Sequence, residues 1–149
     1  MRGTRERSER GVSIAEAAAS MSLLIPLVVL LMFVVLEVSR AFFMREILDQ
    51  AARQAARDLA IAYGQQPGLA NSRSLQETLV FDKIRVQNIV NDSAQFSDPI
   101  FDTVSDPATV KVSVSYLSNQ YGLPPFPDND PLGLGNAFVL SGQSTYRLE

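Results

Sequence analysis

Hydrophobic and polar positions change their rhythm several times along the chain. From Ala17 to Leu36 no charged residue interrupts, and most of the stretch reads MSLLIPLVVLLMFVVL. At about 1.5 Å per residue this run covers the roughly 30 Å hydrocarbon core of a bilayer. Its all-round apolar surface suits lipid better than the one-sided burial of a soluble helix. It is too long for the apolar region of a secretory signal. It also runs into Glu37-Val38-Ser39-Arg40-Ala41-Phe42-Phe43, bulky residues with no small-residue cleavage site, so a retained anchor is expected. Beyond it, Phe43, Ile47, Ala51, Ala55 and Leu59 recur four apart, while Arg45, Glu46, Asp49, Arg53, Arg57 and Asp58 supply a polar surface and Asp49–Arg53 an i,i+4 pair. Gly64, Pro67 and Gly68 stop the pattern. One helix from residue 14 to about 63 is predicted, roughly 75 Å long, which spans the bilayer and projects past it. Pro26, inside the run, removes a backbone donor and predicts a kink near Ser22–Pro26.

The remaining pattern predicts a small mixed unit. Ser74 to Asn91 reads as a second helix, with Leu75, Leu79, Val86 and Val90 inward and Gln76, Glu77, Lys83 and Arg85 facing water. Ser93 to Pro107, rich in Asp and Ser, reads as a loop. Val110, Val112, Val114 and Tyr116 alternate with Lys111, Ser113 and Ser115, the period of a half-buried strand. Residues 122–136 are rich in proline and glycine and break regular structure. A closing strand then sets Phe138, Leu140, Gly142, Ser144, Tyr146 and Leu148 against Val139, Ser141, Gln143, Thr145 and Arg147. The predicted fold class is α+β: a long N-terminal transmembrane and projecting helix, then a small exported domain with a second helix and an antiparallel strand pair. The boundaries are 1–11 for a basic leader without regular structure, 12–37 for the transmembrane helix, 38–63 for its continuation and 64–149 for the domain. A domain of that size has a thin core and leans on the long helix or on neighbouring subunits.

Charge adds orientation. The leader MRGTRERSERG carries Arg2, Arg5, Arg7 and Arg10 against Glu6 and Glu9, and the positive-inside rule puts it in the cytoplasm, with residues beyond Glu37 on the far side. The chain's net charge is −3 and the leader's side chains contribute +2, so residues 12–149 carry −5, a poor match for nucleic acid. With no Cys and no His, thiol–imidazole and Ser–His catalysis, disulfides and the commonest metal ligands are ruled out, and no enzyme activity or cofactor is expected. Asp98, Asp102 and Asp106 are spaced for a hard cation, yet Pro99 and Pro107 oppose the helix that would align them. A solvated acidic loop is the default, as it is for Asp128 and Asp130.

One junction stands apart. Gly11-Val12-Ser13-Ile14-Ala15-Glu16 places a carboxylate at the entrance of a run that otherwise rejects charge. At headgroup depth Glu16 merely marks where the span begins; deeper, it needs a partner. A short basic leader, a Gly and a Glu five residues on resembles the processing site of type IV pilins and pseudopilins. Within that superfamily the chain is most similar to the TadE-like family of minor pilins and pseudopilins of the tight-adherence, Flp-type pilus. The residues concerned are Gly11–Glu16 with the apolar run, then Glu37–Phe43 with the alanine-rich Gln50–Ala56, and last the tail from Val110–Tyr116 to Thr145-Tyr146-Arg147-Leu148-Glu149.

The resemblance implies a pilin-like structural or assembly subunit. A prepilin peptidase would cut between Gly11 and Val12, and Glu16, as fifth mature residue, would pair with a neighbouring subunit's terminal amine. It implies as partners other pilin-like subunits, pilus assembly proteins of the inner membrane and the lipid bilayer, and as location the bacterial inner membrane, single-pass, with incorporation into the pilus open. Glu37, Arg40, Phe42 and Phe43 would form a membrane-exit signature. Glu37 and Arg40 can meet on one helical face, either as interfacial anchors or as a contact for a neighbouring protein. The other reading is an uncleaved single-pass accessory protein of a pilus or secretion machinery.

Overall fold

A computed structural model of the chain describes residues 3–86, 94–116, 133 and 139–148. The chain divides into two compact units, Met1–Leu36 and Glu37–Glu149. Helix α1, Gly3–Gln65, supplies the backbone of the first and enters the second, passing through Pro26. It includes residues 3–11 of the leader, which is expected from its sequence to lack regular structure. Arg and Glu are good helix formers, so the two leader glycines do not prevent it. From Ile14 to Leu36 nearly every side chain is exposed, Val34 being half-buried. Among the described residues this is one helix long and apolar enough to cross a membrane.

In the second unit α1 presents a stripe of small residues. Ala41, Met44, Leu48, Ala51, Ala52, Ala55, Ala56, Leu59 and Ala60 are buried in one cluster with the sheet's inner face. Ala51, Ala55 and Leu59 lie where the spacing put them. Phe43 does not: it is 64% exposed, and Ile47 only flanks the core. The four-residue spacing fits two adjacent stripes equally well, and the tighter one wins because alanines admit a closer partner. Asp49–Arg53 is not the pair formed either. Arg53 reaches Glu46 at 3.0 Å, two turns back, and both are exposed.

The α1 helix ends at a 3-10 turn, Pro67–Asn71, that buries Leu69. A second helical run covers residues 73–86: α2 (Arg73–Gln76), a π turn (Glu77–Phe81) and α3 (Asp82–Val86). Its buried side is Gln76, Val80, Phe81 and Ile84 rather than the Leu75–Leu79 side, and Leu75 stays exposed. Gln76, expected to face water, is 3% exposed and donates from Nε2 to the Leu69 carbonyl at 2.9 Å, which satisfies both groups inside the core. A π turn adds a residue to the helical repeat, which the regular spacing used above does not contain. The expected end of this helix, residues 87–91, lies outside the described residues.

Among the described residues the sheet has four strands, where two were expected. β3 (Thr109–Tyr116) is central and β4 (Leu140–Arg147) pairs antiparallel along its whole length, from Thr109↔Arg147 to Tyr116↔Leu140. Along the other edge lie two short strands in tandem, β1 (Ala94–Phe96) and β2 (Ile100–Asp102), both antiparallel to β3. They occupy the segment expected to be loop. Phe96 faces Val114 and Ile100 faces Lys111, so four steps on one side meet three on the other, as in a β-bulge. The bulge switches the inward parity from Phe96 to Phe101, whose ring meets Tyr63 at 5.6 Å. Val110, Val112, Val114 and Tyr116 are all buried, as their alternation predicts, and so are Leu140, Gly142 and Leu148 on the closing strand. Phe138 and most of the Pro/Gly-rich connection lie outside the described residues.

Candidate assembly and membrane-exit site

The residues singled out by the sequence fall in two groups. Gly11 and Val12 belong to the backbone of α1, and their side chains lie outside the described set. Glu16 is exposed, and its backbone carbonyl accepts a hydrogen bond from Ser20 Oγ at 2.9 Å. Two residues on, Ser22 Oγ donates to the Ala19 carbonyl at 2.8 Å. Both hydroxyls turn back onto the helix and bond its own carbonyls, as serine commonly does inside an apolar helix.

The second group begins at Glu37. Its carboxylate is withdrawn from solvent, 2% exposed, and Oε1 accepts from Arg40 Nη1 at 2.7 Å. The i,i+3 spacing read from the sequence thus becomes a short ion pair, with Arg40 itself largely covered. The other oxygen, Oε2, is buried without a hydrogen-bond partner. An ion pair under cover is costly to form and costlier to break, because removing either partner strands the other charge. Phe42 and Phe43 behave oppositely and stand out at 65% and 64% exposure.

Two positions to which the residue pattern assigns no special role organise the domain. Gly142 lies so close to α1 that a Cβ there would stand 2.5 Å from the Leu48 carbonyl carbon and 2.7 Å from the Asp49 nitrogen. Helix and strand touch backbone to backbone. The alanine stripe on one side and the strand glycine on the other are one device. Arg73 fastens the helical run to the bulge: Nη2 and Nη1 donate to the Phe96 and Ser97 carbonyls at 2.9 and 3.1 Å, and Nε meets Glu77 at 3.0 Å. Its guanidinium carbon lies 4.8 Å over the Phe81 ring, which stacks on Phe96 at 4.4 Å. An arginine just before a predicted helix looks like solvated charge, so only the bulge gives it this role.

The acidic residues do not converge. Arg73 Nη1 holds Asp98 at 3.2 Å, while Asp102 caps its own turn, accepting from the backbone N–H of Val104 and Ser105 and from the Ser105 hydroxyl. The Ser105 hydroxyl first, then the two backbone donors, hold the Asp102 carboxyl below its ordinary pKa. Among the described residues no three potential ligands stand together for a metal ion.

Against known proteins, the family model described as TadE-like protein matches residues 11–57. No curated protein and no solved structure matches the chain. The matched segment starts at Gly11, takes in Glu16, the apolar run and the Glu37–Phe43 stretch, and ends within the alanine stripe; the tail from Val110 onward, which also entered the resemblance, is outside it. Over residues 11–57 the chain is similar to that family, and most of the matched segment lies in a helix long and apolar enough to span a membrane.

Proposed function

We propose that this protein is a pilin-like subunit, a minor pilin or pseudopilin, of a tight-adherence pilus. In this reading a prepilin peptidase cuts between Gly11 and Val12 and Glu16 pairs with the new terminal amine of a neighbouring subunit. The observation that carries it is the start of the TadE-like match at Gly11, the residue after which the cut is expected. The chemistry is consistent: in a low-dielectric span an ammonium beside a carboxylate offsets much of the desolvation either would suffer alone. The leader's arginines favour a cytoplasmic N-terminus in the inner membrane, with the folded unit on the opposite side. The role is structural: its partners are the peptidase, other pilin-like subunits and the assembly proteins.

The backbone supports a second reading, an uncleaved single-pass accessory protein. α1 runs through the Gly11–Val12 bond without a break, and a bond in a helix must be drawn out before a protease can take it. Intact mass and N-terminal sequencing of the membrane-extracted protein, with and without the peptidase, separate the two. A mature form starting at Val12 only when the peptidase is present is expected. All 149 residues retained in both strains moves the assignment to the accessory protein. In the first case Glu16→Ala abolishes pili while the anchor persists; normal piliation removes the pairing role.

A further inference from the structure

The first two helical turns of the folded unit are apolar on the outside but for the Ser39 hydroxyl, despite the two charges in their sequence. Of residues 37–43, the two charged ones, Glu37 and Arg40, are turned inward and paired with each other, while Val38, Phe42 and Phe43 are exposed. Across a groove of about 400 Å³ from Val38 and Phe42 stands Val139, 95% exposed, ahead of Leu140 and Ser141 at the start of β4. Arg45 lines the same groove one turn beyond Phe42. An apolar patch closed by a basic residue is the composition of a surface that rests in the interface of a bilayer, with rings and aliphatic groups among the acyl chains and the guanidinium at the phosphates.

We infer that Val38, Phe42, Phe43 and Val139 form a lipid-docking patch, by which the folded unit settles into the headgroup–acyl boundary of the leaflet it adjoins, with Arg45 on a lipid phosphate. This rests on the reading of the preceding run as a membrane anchor. Two observations choose lipid over a second copy of the chain. The patch follows directly, in sequence, on the uncharged run that ends at Leu36. And both charges on these turns are hidden and mutually neutralised, which a lipid neighbour requires and a protein neighbour, able to offer partners, does not. The inward Glu37–Arg40 pair is thus what lets an acidic–basic sequence present a hydrocarbon face.

The chain has no Trp, so one introduced Trp is a sole reporter. Phe42→Trp, Val139→Trp, Leu30→Trp in the span and Val104→Trp in the exposed β2–β3 turn are each placed in the full chain and reconstituted in phosphatidylcholine vesicles with or without brominated acyl chains. Leu30→Trp, Phe42→Trp and Val139→Trp are expected to emit to the blue and to lose emission in brominated vesicles; Val104→Trp is expected to do neither. Quenching at Leu30→Trp without quenching at Val139→Trp overturns the docking and leaves the anchor standing. No quenching at Leu30→Trp overturns the anchor itself. Blue-shifted but unquenched emission at Val139→Trp gives the patch to a protein neighbour and overturns the inference. Arg45→Glu is expected to lessen quenching at Val139→Trp, and unchanged quenching removes Arg45 from the patch.

Discussion

Residues Met1–Leu36 and Glu37–Glu149 handle apolar surface in opposite ways. From Ile14 on, the first unit is rich in large aliphatic side chains and buries almost none of them: Leu23, Ile25, Val29 and Leu31 are all exposed. The second meets its sheet mainly through alanine and yet closes a core around Leu48, Leu59, Phe81 and Val112. Hydrophobicity alone therefore does not identify the core of this chain. The more apolar segment waits for a solvent of its own kind, whereas the less apolar one packs because its residues are small enough to let backbones approach.

The contrast can be broken most directly at two leucines. Leu48→Ala is expected to cost the folded unit about 2–5 kcal/mol, the usual range for emptying a packed site. Leu30→Ala, with no intramolecular partner, is expected to stay within about 0.5 kcal/mol. Thermal unfolding of the detergent-solubilised protein followed by circular dichroism measures both, and equal losses at the two sites would mean that the span packs on something within the chain. Next comes Arg40→Met, which leaves the Glu37 carboxylate covered and alone. A loss of about 3 kcal/mol is expected, largely restored in the double variant Glu37→Leu/Arg40→Met. A smaller effect, about 2 kcal/mol, is expected for Gly142→Ala, since the atoms its methyl group meets are backbone and cannot step aside; hydrogen exchange should show the loss first at β4.

The smallest effect sharpens the comparison on the pH axis. The folded-state pKa of Asp102 is depressed, so its contribution is present above the unfolded carboxylate value, near 3.8, and is lost as pH falls through the lower folded value. Asp102→Asn should flatten the acid limb of the stability curve of the second unit. An unchanged limb would show that the turn holds equally well with a neutral side chain.

How much of this was readable from the residues follows from the same contrast. The span needed only composition, and β3 and β4 announced themselves by eight-residue alternation. Residues 94–102 did not, because three-residue strands split by a bulge carry no periodicity to detect. Gln76 was misplaced because a π turn changes the spacing that assigns faces, and Phe43 because two neighbouring helical stripes share the same four-residue interval. At the site, the Glu37–Arg40 spacing foretold the ion pair but not its burial, since spacing along one helix says nothing of what covers it. The alternation put Gly142 on its face of the closing strand but carried no sign of its contact: a glycine there reads as a gap in the pattern until the helix that fills it is seen.

The contact at Gly142 has a mechanical side. Side chains between two elements act as springs, since rotamers can shift before the elements separate. Backbone against backbone offers no such compliance, and its attraction falls off within a fraction of an ångström. A pull on the helix near Leu48 is passed to the central strands almost undamped, and the joint yields suddenly when it yields. In the pilin-like subunit proposed above, a load along a fibre would meet its stiffest joint at that one crossing.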